Sequence, residues 1–196
     1  MSASDLDGIL AFLRAAEALK NVTRSAWTSG GQPESVAEHS WRLCLMALAL
    51  ERELGGVDIA RLLKLCIIHD LGEAIGGDIP AIHQAPGTSK SVQERADLLT
   101  LAKPLPEKIR AEIVALWDEY DAARTTEARI AKALDKLETI MQHNQGKNPA
   151  DFDYEFNLGY GRAFTAAPEV VVAIREILDR ETKAHARGEV SSPPEP

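Results

Sequence analysis

Residues 59–68, IARLLKLCII, are apolar on most sides of any helix drawn through them. Such a helix has to be packed by neighbours all round. The stretch predicts a helix over about 58–70, capped by Asp58, that serves as the spine of a helical domain. The same period recurs along the chain. Leu6, Ile9, Leu10, Leu13 and Ala16 fall at three- and four-residue spacing behind Ser4 as N-cap, which predicts an amphipathic helix over 5–20. Leu43, Met46, Ala47 and Leu50 share a face of a helix over 34–54, ended by Gly55 and Gly56. Further helices are predicted over about 89–102 and 106–121, with Pro106 in the first turn of the second. A strong one over 125–145 carries Ile130, Leu134, Leu137, Ile140 and Met141 on one stripe, and the last spans 168–186.

No strand pattern and no internal repeat interrupts this reading, so the expected class is all-α: one bundle of about six to eight helices over residues 1–186. Residues 187–196, RGEVSSPPEP, read as a disordered tail. Between the last two helices lies a loop of about twenty residues containing GKNPADFDYEFNLGYG. A loop of that length in a small domain is usually functional or covers a partner.

Behind the predicted spine, HDLGEAIGGD places His69, Asp70, Glu73 and Asp78 within ten positions. Titratable groups at the end of an apolar helix destabilise it unless something pairs with them. Read as metal chemistry, His39, His69, Asp70 and Asp135 would be the ligands of one divalent ion. Two imidazoles and two carboxylates suit Mn, Co, Fe, Zn or Mg with positions left open for water. Each residue also has a bland reading: His39 as a satisfied core histidine, Asp135 as a surface carboxylate paired with Lys132 or Lys136. The residues alone leave that choice open.

Net charge narrows the partners. At −8, with a pI near 5.2, the chain is a poor candidate for duplex nucleic acid, whose binding depends on Lys and Arg neutralising phosphates. An anionic small molecule would need local positive charge or a metal. Cys44 and Cys66 both sit in apolar helical patterns, which fits two core thiols in a reducing cytoplasm. The start, MSASDLDGIL, lacks the basic flank of a signal peptide, and no apolar run approaches the roughly 18 residues of a membrane span.

In order and interval, His39, then His69-Asp70, then Asp135 resemble the H…HD…D signature of the HD-domain metal-dependent phosphohydrolases. RSAW, PESVAEHSWR, HDLGEAIGGDIP and ALDKLE are similar to a narrower branch, the 5′-deoxynucleotidase group, from about residue 10 to 160. The resemblance implies an all-helical domain that uses one divalent metal to hydrolyse a nucleoside 5′-monophosphate, and it implies a homodimer. It gives Glu73 the proton-transfer role, and it gives Asp78, Arg24 and Trp27 contacts with the nucleotide. Two residues separate Arg24 from Trp27, where some relatives have the aromatic directly after the Arg.

Glu73, four residues after His69, would project on the same side one turn further on. Glu73→Ala is therefore expected to keep the metal and lose most turnover. Glu138 and Gln142 share the Asp135 face and could orient a ligand. His83 reads as a loop histidine, His143 as a cavity or core residue, and His185 as near the tail. A two-metal HD site needs more histidines between the HD pair and the last Asp, which favours a single ion. Two rivals stand beside the hydrolase: a nucleotide-binding regulatory module with little turnover, and, less favoured, a di-iron oxygenase.

Overall fold

The computed structural model describes residues 1–79 and 90–189. The expected spine is α3 (Ile59–Ile68), and the Asp58 carboxylate caps it by accepting from the Arg61 backbone N–H at 3.0 Å. Leu62, Leu65, Cys66 and Ile68 are buried. Each large apolar side chain removed from water contributes about 2 kcal/mol. Around the spine pack α2 (Val36–Leu50), α6 (Glu107–Ala122) and α7 (Thr126–Gln145). The enclosure is incomplete, because Ile67 is 54% exposed.

With α1 (Ala3–Ala16), the four-residue α4 (Glu73–Gly76), α5 (Lys90–Leu101), the six-residue α8 (Tyr154–Gly159) and α9 (Glu169–Ala186), the described residues hold seven longer helices and two short ones. The all-helical expectation therefore stands, with one exception. β1 (Thr23–Trp27) and β2 (Pro33–Ser35) form an antiparallel hairpin where a polar loop is expected. Strands of five and three residues are too short to show alternation in the sequence, and SGGQ is in the turn between them.

Several boundaries shift for local reasons. Ser2, not Ser4, caps α1, in a reciprocal arrangement with Asp5. Ser35 and Glu38 make the same capping box at α2, so that helix starts at Val36 instead of 34. It gives way at Glu51 to a single 3-10 turn. Pro106 precedes α6 as its cap, and α8 lies inside the predicted long loop.

The amphipathic helix expected over 5–20 is α1 and the 3-10 turn after it, but little of its apolar stripe is buried. Phe12 is the buried residue of α1, whereas Leu6, Leu10 and Leu13 are 51%, 46% and 56% exposed. Among the described residues the helix packs on α5, on the following 3-10 turn (Glu17–Lys20) and, at Gly8, on the Pro104 carbonyl, and these leave much of its apolar stripe exposed. His83 and tail residues 190–196 lie outside the described residues. Among those residues no helix is long and apolar enough to cross a membrane.

Candidate functional site

The polar residues that looked misplaced in the sequence meet at one point. α2 contributes His39, the C-terminal end of α3 contributes His69 and Asp70, and the middle of α7 contributes Asp135. His39 Nε2 lies 3.3 Å from Asp135 Oδ1 and 3.9 Å from Asp70 Oδ2, and His69 Nε2 lies 3.0 Å from the same Asp70 oxygen. Donor atoms of His39, His69 and Asp70 all fall within 4.8 Å of one another.

The outer nitrogens fix the tautomers. His69 Nδ1 is 2.8 Å from the Cys66 carbonyl, and His39 Nδ1 is hydrogen-bonded to the Glu138 carboxylate. Both partners accept, so both protons sit on Nδ1 and both Nε2 lone pairs face the centre. These two Nε2 atoms are buried without a hydrogen-bond partner. Unpaired buried nitrogens of this kind are costly, and a divalent cation among His39, His69 and Asp70, with Asp135 Oδ1 3.3 Å from His39 Nε2, would satisfy them. The donor set fits a borderline or hard ion.

Asp135 is held by its other oxygen. Tyr120 Oη donates to Oδ2 at 2.9 Å and Lys136 Nζ donates to it at 2.8 Å, which leaves Oδ1 turned toward His39. Arg24, on β1, sits 3.6 Å from Asp70 and 3.3 Å from Glu34, and donates to Thr139 Oγ1 at 2.9 Å. Burial opposes the Arg24 charge, but Asp70, Glu138, Asp135 and Glu34 outweigh it and hold its pKa above the usual range. Burial likewise opposes ionisation of Asp70, yet His69 and then His39 hold its carboxyl well below the carboxylate norm. For His39, burial and Arg24 oppose protonation, while Glu138 and Asp135 raise the pKa to about 9. Without a cation the site therefore holds a proton on His39, and a metal ion would displace it.

These groups open onto a cavity of about 330 Å³, the volume of a small-molecule site. Asp70, Asp135, Arg24, Glu73 and Asp78 line it, as expected from the sequence. Glu73 stands at the start of α4, where the chain packs so closely on α5 that a Cβ on Gly72 would fall 2.4 Å from the Glu94 carbonyl oxygen. Burial first, then Asp70 and Asp78, push the Glu73 carboxyl up to about 9. Lys90 moderates that shift from 3.0 Å and also pairs with Glu94 at 2.7 Å.

Trp27 is not brought to this cavity. Its ring packs edge-on against Phe152 and borders a separate depression with Gly31 and Lys147. Its carbonyl accepts from the Gln142 side chain, so Gln142 braces β1 and does not touch a candidate ligand. Glu138 does orient one, through His39. His143 both lines the cavity and bonds Asn157 at 2.9 Å, and His185 stacks on Tyr154.

Lys90, Glu34, Tyr120 and Thr139 escape a sequence reading. The bland reading of Asp135 already ties it to Lys136 as a surface pair; the pair forms, but at the wall of the cavity. Tyr120 carried a signal as well, being a hydroxyl at a buried position of α6. Lys90 and Glu34 offered none, since their partners are set by tertiary packing.

Known proteins resemble this chain in sequence and in fold. The sequence pattern of the HD domain family matches residues 16–174. The 5′-deoxynucleotidase HDDC2 of Bos taurus is 32% identical over 98% of this chain and 95% of its own length. The protein of that name from Homo sapiens is 31% identical over 94% and 91%. A crystal structure of a predicted metal-dependent phosphohydrolase from Magnetospirillum magnetotacticum MS-1 superimposes with a TM-score of 0.79 at 28% identity, covering 96% of this chain and 99% of that one. The chain belongs to the HD domain family.

Proposed function

We propose that the protein is a metal-dependent phosphohydrolase that cleaves a (deoxy)nucleoside 5′-monophosphate to nucleoside and phosphate. One observation carries the reading: two buried imidazole nitrogens without partners face two carboxylates at the wall of a cavity that also holds Glu73 and Arg24. His39, His69, Asp70 and Asp135 would hold one divalent cation, of the Co, Mn, Mg, Zn or Fe group. When bound, that cation supplies Lewis-acid charge, which attracts a phosphate oxygen and makes water more acidic.

The chain's own residues do the rest. Arg24 is buried, permanently charged and aimed across the cavity, so it orients the phosphate. Glu73 has Oε1 occupied by Lys90, while its buried Oε2 has no hydrogen-bond partner. With its pKa raised, that carboxyl carries a proton near neutral pH and donates it to the leaving 5′-oxygen. Asp78, at the same wall, accepts from a sugar hydroxyl. Trp27 acts at one remove, since its backbone ties the strand that carries Arg24 to α7.

The reading extends to one domain over residues 1–186 and to a homodimer, for which the uncovered Leu6, Leu10 and Leu13 offer an apolar surface. It also places the protein in the cytoplasm, in keeping with two free thiols, Cys44 half-buried and Cys66 buried. The relatives' shared name supports the nucleotide.

The test is phosphate release from a panel of ribo- and deoxyribonucleoside monophosphates, by chelator-treated protein resupplied with Co, Mn, Mg, Zn or Fe(II). Release is expected only with metal. Protein that binds a metal and releases no phosphate from any of them would instead be the nucleotide-binding module.

A further inference from the structure

The cavity has a second wall that the chemistry above does not use. Phe156, Tyr160 and Phe164 all line it, four residues apart, along α8 and the turn that follows. Phe156 and Tyr160 are in tilted contact at 5.5 Å, and Phe164 is left 38% exposed. Apart from the Lys132 ammonium group 5.7 Å from its centroid, the Phe164 ring is left open at the edge of a cavity lined largely by charged groups.

The segment is also braced with unusual care. Arg175, on α9 and 3% exposed, donates to the carbonyls of Tyr160, Asn157 and Leu158 at 2.6, 2.8 and 3.1 Å, and is itself held by Asp179 at 2.7 Å. A buried arginine needs such partners, and here three of them are backbone carbonyls of one stretch of chain, with the Thr165 hydroxyl from the same stretch a fourth. Gly161 (φ +67°) presses that stretch onto α7, where a Cβ would fall 2.6 Å from the Lys136 side chain. The rings are thereby fixed beside Lys136, whose ammonium group lies 5.0 Å over the Tyr160 ring and 3.0 Å from its hydroxyl.

We infer that the wall formed by Phe156, Tyr160 and Phe164 is a stacking platform for the nucleobase, and that it gives the enzyme its preference for nucleosides over base-free phosphomonoesters. The inference rests on the nucleotidase reading and deepens it. Every base presents a flat π-face, so a platform built from rings without a convergent set of hydrogen-bonding side chains favours bases in general over any one of them. It also supplies the nucleoside contact that Trp27, turned away toward Phe152, does not make.

The test compares Phe164→Ala and Phe156→Leu with the unaltered, metal-loaded protein. Calorimetric binding is measured for deoxyadenosine, which lacks phosphate, and for 2-deoxyribose 5-phosphate, which lacks a base. KM and kcat are measured for deoxyadenosine monophosphate. Each variant is expected to lose about tenfold in affinity for deoxyadenosine and to raise the nucleotide KM by a similar factor, with kcat within about twofold and binding of the base-free phosphate unchanged. Phe164→Ala is the safer variant, because its ring is already partly in water. Deoxyadenosine affinity unchanged in both variants, or an equal loss for the base-free phosphate, overturns the platform. Absence of phosphate release by the unaltered protein would overturn the hydrolase reading alone, since deoxyadenosine binding still decides on the platform.

Discussion

The two walls of the cavity are built on opposite principles. The ionic wall carries Arg24, Asp70, Glu73, Asp78 and Lys90, and each charge there is balanced by another side chain: Arg24 by Asp70 and Glu34, Lys90 by Glu73 and Glu94. The aromatic wall is neutral, and its backbone is held from behind by Arg175. Charges on the first wall are tuned by their neighbours, so a change at one atom alters protonation across the site. Rings on the second are set by backbone geometry and contribute surface. The first wall should therefore govern turnover, and the second affinity.

Glu73→Gln should break the comparison most sharply. It keeps the shape of the side chain and removes the transferable proton, so kcat is expected to fall about a hundredfold to a thousandfold. Metal affinity, set by four other residues, should stay within about twofold. Turnover assays with matched metal analysis check this, and a Glu73→Gln protein with full turnover would remove Glu73 from the chemistry. The contrast with the platform variants is the point of the pair: one loses kcat at constant binding, the others lose binding at constant kcat.

A smaller effect is expected behind the ionic wall. Tyr120 donates one of the two hydrogen bonds that occupy Asp135 Oδ2, and Lys136 donates the other. Tyr120→Phe leaves Lys136 in place but frees the carboxylate to turn. Supporting bonds to a ligand are commonly worth tenfold or more in metal affinity. About a tenfold loss is expected, read by competition with a chelator of known affinity. An unchanged affinity would mean that Lys136 alone fixes Asp135.

The walls also differ in how far the sequence discloses them. The ionic wall was legible because its chemistry needs particular residue types in a fixed order: His39, His69-Asp70, Glu73, Asp78 and Asp135 all lie where the motifs put them. Arg24 was legible only through the resemblance, and Trp27, read the same way, lies elsewhere because β1 and β2 form a hairpin too short to announce itself. Lys90 was silent for another reason. It pairs with Glu73 across two helices, and no local pattern encodes that meeting. The aromatic wall looked like an irregular loop, since one turn and a half of α8 is too short for a periodic signal. In α1 the period was right, but periodicity shows only that a face is apolar: among the described residues Phe12 is buried and Leu6, Leu10 and Leu13 stay exposed.

The smallest predicted effect lies in pH and again separates the walls. In the metal-free protein His39, Glu73 and Glu34 are among the groups that hold protons the unfolded chain releases at lower pH, and buried His143, whose pKa burial lowers, opposes them near pH 6. His39 is raised from 6.5 to about 9, chiefly by Glu138 and Asp135 against burial and Arg24. Burial is the largest cause for the other two, Glu73 rising from 4.5 to about 9 and Glu34 from 4.5 to about 7. The His39 contribution is complete below about pH 6.5 and is lost as pH rises through about 9. The two glutamates bind more protons folded than unfolded above pH 4.5, so they too make stability fall as pH rises. Asp70, Asp135 and Glu138 are held below their ordinary values, and their contributions are constant across this range. The metal-free Tm is therefore expected to drop between pH 6 and pH 9, by about 5 °C at the least. Saturating metal displaces the His39 proton, so the gap between metal-loaded and metal-free Tm should widen over the same range. Phe164→Ala, on the wall without titrating groups, should leave both trends unchanged. Thermal unfolding at four pH values, with and without metal, checks all three statements. A metal-free Tm that stays level or rises toward pH 9 would show that these protons are not held in the folded state, and with them would go the assignment of Glu73 as the proton donor.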